Sequence, residues 1–275
     1  MTETDDPTMR PFMPEDILVL DHVTKTFDRL IAVNSLDLRV RKGEIFGFLG
    51  PNGAGKTTTI KIIAGLLLPT TGTVSICGHP LSTEAQICRQ LTGYIPDRPY
   101  LYEKLTGGEY LNFIASLYPQ DSEGARVQER ATEFLQLFDL DQWQNNLIES
   151  YSHGMRQKLI MTSMLMLDLP LLVVDEPMVG LDPKSARIVK ELFRKKARQG
   201  ATIFLSTHSM EIAEELCDRV SIIVNGSIIA GGDIDSLRQD PSLAGKNLEE
   251  LFLQLTGAFE LQQVIAALRD DGAGN

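Results

Sequence analysis

The segment Gly50-Pro51-Asn52-Gly53-Ala54-Gly55-Lys56-Thr57 fulfils the P-loop pattern in full. It follows an apolar run, Glu44 to Leu49, that reads as a buried strand, and it precedes Thr58 to Gly65, which reads as a helix. Glycines let backbone N–H groups turn inward around a polyphosphate, and the helix start adds partial positive charge. Lys56 is placed to reach the β- and γ-phosphates, and Thr57 to bind Mg²⁺ through its hydroxyl.

At 275 residues the chain has room for one large domain or two small ones, and 43% hydrophobic residues supply a sizeable core. Lys plus Arg number 26 and Asp plus Glu 37, a net charge of −11. Such a surface repels nucleic acid, and the nearest basic run, Arg194-Lys195-Lys196 with Arg198, reads as a solvated helix face. Three widely spaced cysteines, Cys77, Cys88 and Cys217, suggest neither a disulfide framework nor a zinc site. Residues 1–14 are acidic and proline-containing, without the pattern of a signal peptide, and are expected to form a disordered tail. The most apolar stretch, Leu159 to Val174, is interrupted by Asp168 and Pro170 and is too short to span a bilayer.

Ile17 to Val23 and Ala32 to Val40 alternate apolar and polar residues as half-buried antiparallel strands do. Pro69 to Gly72 reads as a turn and Thr73 to Cys77 as a strand. Thr92 to Pro96 leads into a loop, Asp97 to Leu105. Three helices follow: Gly108 to Leu117, Gly124 to Phe138, and one that starts after Ser152, an N-cap residue type, and runs to about Leu167. Leu171 to Asp175 and Thr202 to Ser206 are continuous apolar strands, as in a parallel sheet. Asp182-Pro183 opens a helix that Gly200 closes. Asn225-Gly226 predicts a hairpin, and the chain from Asp233 onward reads as short helices.

Asp175 and Glu176 stand at the C-terminal end of a hydrophobic strand. That end of an open parallel sheet faces the ligand crevice, although a strand end can also turn polar simply on reaching solvent. Asp175 would hold Mg²⁺, and Glu176 would polarise a water against the γ-phosphate. His208 follows the second buried strand at the same sheet edge, where it either contacts the γ-phosphate and the water or caps a helix.

This ordered set resembles the nucleotide-binding subunit of ATP-binding cassette (ABC) transporters, from about Ile17 to Arg238. The resemblance implies an α/β fold: a P-loop NTPase core with a mixed or parallel sheet, an N-terminal antiparallel β subdomain and an inserted helical subdomain. It makes Gly50 to Thr58 the Walker A motif, Leu171 to Glu176 the Walker B motif, and Tyr151-Ser152-His153-Gly154-Met155 the signature. Asp182 falls in the D-loop, His208 becomes the switch histidine, and Phe27 becomes the ring that stacks on adenine. ATP and Mg²⁺ are the implied ligands, with Lys56, Glu176 and His208 catalytic. Thr57, Asp97 and Asp175 would surround the metal. Ser152 and Gly154 would meet the γ-phosphate held by a second subunit, identical or related, in a head-to-tail dimer.

Three departures from the family pattern, at four positions, stand out: Asp97 replaces the Q-loop glutamine, His153 and Met155 replace Gly and Gln in the signature, and Phe27 replaces Tyr. The Pro96-Asp97 loop, the signature and Leu248 to Phe252 look similar to ATPases of bacterial multidrug, antibiotic or sodium exporters. The resemblance therefore implies a separate transmembrane permease and a peripheral place on the cytoplasmic face of the membrane. Tyr100 and Tyr102 either dock on that permease or pack within their loop. It further implies residues 15–232 as the ATPase domain, with about 97–168 as the helical insertion, and 233–275 as a helical extension. A soluble ABC ATPase of the iron–sulfur-assembly type is the alternative.

Overall fold

The computed structural model describes residues 16–118, 124–234 and 252–253; the N-terminal tail and most of the C-terminal extension lie outside that set. The first sheet is antiparallel. It contains β1 (Asp16–Phe27), β2 (Leu30–Arg41), β4 (Thr71–Ile76) and β5 (His79–Pro80), in the order β2-β1-β4-β5. The second sheet runs β10-β9-β3-β8-β7-β6, from β3 (Ile45–Leu49), β6 (Thr92–Ile95), β7 (Leu171–Asp175), β8 (Thr202–Thr207), β9 (Arg219–Val224) and β10 (Ser227–Asp233). Its strands pair in parallel except for the hairpin partner β10.

Side-chain alternation at the centre of this sheet divides the core in two. Ile45 and Leu49 of β3, Leu172 and Val174 of β7, and Ile203 and Leu205 of β8 enter one cluster. Phe46 and Phe48, Leu171 and Val173, and Phe204 enter the other. The first cluster takes in α3 (Gly107–Leu117), α4 (Gly124–Leu137), α5 (His153–Leu165), α6 (Pro183–Arg198) and α7 (Met210–Leu216). The second is covered by α1 (Lys56–Ile63) and the antiparallel sheet. Both faces of β3, β7 and β8 are therefore buried, which is why β3 and the body of β7 are apolar throughout, while β8 adds small buried hydroxyls at Thr202, Ser206 and Thr207.

Several boundaries shift from the expected ones. Thr71 and Gly72 belong to β4 rather than to a turn. Gly72 has φ +84, and a methyl there would lie 2.3 Å from the carbonyl of His22, so β4 passes β1 at a bulge that only glycine fits. β10 continues to Asp233, so the division placed after Gly232 falls inside a strand. A short α2 (Ala85–Gln90) carries too few residues to show periodicity. Thr106 caps α3 in a reciprocal box with Glu109, and the helix begins at Gly107, one residue earlier than expected. Ser152 caps α5 and Asp182 caps α6, as read from the sequence.

Candidate functional site

The turn between β3 and α1 closes on the ammonium of its own lysine. Lys56 Nζ donates to the carbonyls of Gly50 at 2.6 Å and Pro51 at 3.1 Å. Burial pushes this ammonium down from its ordinary pKa, and the charges of Glu176 and Asp175 oppose that. Gly53 and Gly55 have φ +80 and +107. A methyl on Gly55 would stand 2.4 Å from the carbonyl oxygen of Ala32, whereas one on Gly53 would meet nothing within 4 Å. Gly55 presses on protein; Gly53 faces open space. The carbonyl of Ala54 accepts from Gly226 N–H at 2.9 Å, and that of Gly226 accepts from Asn34 N–H at 2.8 Å. The β9–β10 turn is thereby stapled between the P-loop and β2. The Asn-Gly hairpin is legible in the sequence, but nothing local signals its role in the site.

A cleft of about 510 Å³ opens here. It is lined by apolar Phe27, Leu30, Ile31 and Ala32, by turn residues Pro51 to Gly53, by Gly55 to Thr58, and by Asp97, Asp175, Glu176, Asn225 and Gly226. An apolar wall joined to a cationic cradle matches a molecule with a flat base and a polyphosphate. Phe27 is 44% exposed, with Lys25 Nζ 5.2 Å from its ring centroid. Lys25 thus covers part of the ring.

Asp175 is 4% exposed and accepts from the buried Ser206 hydroxyl. Burial pushes its carboxyl up, Ser206 holds it down, and Glu176 and Asp97 push it up further. Burial likewise lifts the Tyr94 phenol to about 12, with Asp175 and Asp97 adding to the rise. A divalent cation would relieve this crowding of acidic groups, so the donor set fits Mg²⁺. The ion takes one or two carboxylates and leaves its other positions to phosphate and water. Thr57 lines the same cleft.

Glu176 adopts φ +48, a conformation that side-chain-bearing residues seldom take. Its N–H donates to the Ser206 carbonyl at 3.1 Å. Its carboxylate accepts from Thr207 Oγ1 at 3.2 Å and stands 2.8 Å from His208 Nδ1. His208 does not line the cleft; it reaches it through Glu176. The end of β8 thus holds Glu176 at three points: its strained backbone by Ser206, and its carboxylate by Thr207 and His208.

Ser152, Gly154 and Asp182 are not brought to this cleft. Ser152 Oγ accepts from Met155 N–H at 3.3 Å. Asp182 accepts from Ser185 N–H at 2.9 Å and lies 2.9 Å from Lys158 Nζ, joining α6 to α5. Tyr151 is buried, and its hydroxyl donates to the Trp143 carbonyl at 2.7 Å. Arg156 ties the signature helix to the loop after Asp97: its guanidinium donates to Glu103 Oε1 at 2.5 Å and to the carbonyls of Tyr151 and Glu149, each at 3.2 Å. In that loop Tyr102 packs edge-on against Phe113, while Tyr100 is 88% exposed. Tyr102 thus packs on α3 rather than within its own loop, and Tyr100 is free of such packing.

Comparison with known proteins follows the same lines. The family model described as ABC transporter matches residues 33–179. A daunorubicin resistance ATP-binding protein of Streptomyces coeruleorubidus is 35% identical over 83% of this chain and 72% of its own length. A Nod factor export ATP-binding protein I of Burkholderia orbicola is 37% identical over 77% of this chain and 69% of its own. A solved ATP-binding subunit of an ABC transporter superposes with a TM-score of 0.83 at 34% identity, covering 87% of this chain and 99% of that one. A dimeric post-hydrolysis ATP-binding cassette bound to ADP and Pi superposes with a TM-score of 0.72 at 25% identity, covering 78% of this chain and 98% of that one. Glycine cradle, buried aspartate and strained glutamate thus sit on the fold of this family, and the chain belongs to the ATP-binding subunits of ABC transporters, as an ATPase.

Proposed function

We propose that this chain and a second cassette, identical or related, close head to tail on two ATP molecules, each held by the P-loop of one subunit and the α5 tip of the other. One observation carries the reading. Lys56, Asp175 and Glu176 converge on one cleft, while Ser152 and Gly154, at a helix start suited to an anion, lie outside it. Those helix-tip groups need a phosphate from elsewhere, and a second copy supplies it.

Phe27 would stack on the base, and the backbone from Gly50 to Thr58 with Lys56 would hold the phosphates. Thr57 and Asp175 would hold Mg²⁺ with Asp97 nearby, and the ion would neutralise charge on the phosphates. Glu176 orients a water on the γ-phosphate and accepts its proton. His208 donates from Nδ1 to Glu176, holding the carboxylate in place. Asp182 stands at the subunit seam.

The proposed partner is a polytopic permease docked against the insertion helices and the exposed Tyr100. Export is the direction favoured by the relatives named for drug resistance and Nod factor export. Among the described residues no helix is long and apolar enough to cross a membrane. The proposed location is accordingly peripheral, on the cytoplasmic face, beside that permease. The acidic tail, the 97–168 insertion and the C-terminal extension remain the proposed division of the chain.

Glu176→Gln tests the site. The variant should bind ATP, lose hydrolysis by about a hundredfold or more, and accumulate an ATP-dependent dimer in size-exclusion chromatography. Hydrolysis at the wild-type rate would refute the assignment. Lys56→Ala should weaken nucleotide binding itself, and unchanged affinity would remove Lys56 from the phosphate site.

A further inference from the structure

His153, the first residue of α5, replaces a glycine of the usual signature, yet its ring is not aimed away from the protein. It lies folded back on Gly180. A methyl built on Gly180 would stand 2.6 Å from His153 Cδ2 and 2.8 Å from Nε2, and Gly180 has φ +78. The neighbouring residue makes a second close approach: a methyl on Gly154 would lie 3.0 Å from the Gly180 carbonyl oxygen. Farther along α5, Lys158 pairs with Asp182 at 2.9 Å. The turn held in this way starts at the catalytic carboxylate, because Val179 N–H donates to the Glu176 carbonyl at 3.2 Å.

We infer that His153 is a positioning residue whose ring locks the α5 tip to the Gly180 turn, so that the tip offered to the neighbouring subunit's nucleotide and the Glu176 serving the chain's own nucleotide move as one unit. The inference rests on the head-to-tail reading. Without the ring, the Lys158–Asp182 pair still joins α5 to the end of this turn. Asp182 is half exposed, and such a pair holds geometry weakly. A ring packed on a bare Cα holds it by shape, and a residue larger than glycine at 180 would push the ring from this seat.

A double-mutant cycle tests this. His153→Gly alone should lower kcat about threefold and bring the Hill coefficient for ATP from about two towards one, as the two sites uncouple. Gly180→Ala should lower kcat about tenfold, because its methyl displaces the ring and its backbone at φ +78 is strained. His153→Gly with Gly180→Ala should recover about threefold over Gly180→Ala alone, since the methyl then takes the vacated space. Each variant, kept monomeric by dilution, should bind a fluorescent ATP analogue as tightly as monomeric wild type, because neither His153 nor Gly180 lines the cleft around the P-loop.

Additive effects overturn the inference, as does loss of analogue affinity in step with kcat. An unchanged Hill coefficient in His153→Gly overturns it even if Gly180→Ala does not fold. Failure of the wild-type protein to dimerise with ATP would instead overturn the head-to-tail reading.

Discussion

Gly53 and Gly55 are two residues apart, both have positive φ, and their surroundings dictate different failures on substitution by alanine. An alanine at either position carries the backbone penalty of a left-handed conformation, about 1 kcal/mol. At Gly53 nothing further is added, because no atom lies within 4 Å of the new methyl. At Gly55 the methyl stands 2.4 Å from the Ala32 carbonyl oxygen, a rigid backbone atom of β2. Relieving that overlap means moving the P-loop or β2, at about 2 kcal/mol, so Gly55→Ala should lose about 3 kcal/mol in all. Urea denaturation of the nucleotide-free proteins should therefore separate the two variants by about 2 kcal/mol. ATP binding should order them differently: Gly53→Ala keeps its fold yet binds about tenfold more weakly or worse, because its methyl enters the space left for phosphate. Equal stabilities for the two nucleotide-free variants would refute the reasoning, as would wild-type ATP affinity in Gly53→Ala.

Three further outcomes are expected. Phe27→Ala should weaken ATP binding about tenfold while leaving competition by inorganic triphosphate unchanged, since only the base loses its platform; equal losses for both ligands would place the ring elsewhere. The Ser185 hydroxyl, Lys158 and the Ser185 N–H hold the Asp182 carboxyl well below its ordinary value of 3.8, so its contribution is present above that pH and is lost as pH falls through and below it. The stability deficit of Asp182→Asn, about 0.5 kcal/mol at neutral pH from the lost charge beside Lys158 and at the start of α6, since asparagine keeps the cap, should accordingly shrink in denaturation curves as the pH is taken from neutral to below that value; a deficit that grows on acidification would reverse the sign of the argument. Asp168→Asn should cost about 2 kcal/mol in urea, because the Lys196 ammonium, buried and held at 2.8 Å by Asp168 and 3.1 Å by the Leu167 carbonyl, would lose its charged partner; a change below a few tenths would show the pair to be inert.

The parts of the site that occupy consecutive residues are legible in the amino-acid order itself: the P-loop with its strand and helix, Asp175-Glu176 at the end of an apolar strand, and the caps Ser152 and Asp182. Each works through spacing that the chain enforces. The parts that depend on distant segments are not legible in this way. The staple from Gly226 to Ala54, the Ser206–Asp175 bond and the Arg156–Glu103 tie each join stretches that only the folded sheet brings together. The left-handed backbone of Glu176 leaves no trace either, because no glycine marks it. The sequence places His208 at the correct sheet edge, but its position behind Glu176 follows from the turn after β8, which the apolar pattern does not encode.

The staple of Gly226 onto Ala54 has a consequence for how the protein comes into being. A ribosome delivers the P-loop well before the hairpin that shapes it, with most of the ATPase core still to be made in between. Until that hairpin arrives, Ala54 lacks its partner and the cradle lacks one wall. Competence to hold nucleotide is therefore acquired late in synthesis, and nascent chains arrested short of the hairpin remain indifferent to cellular ATP.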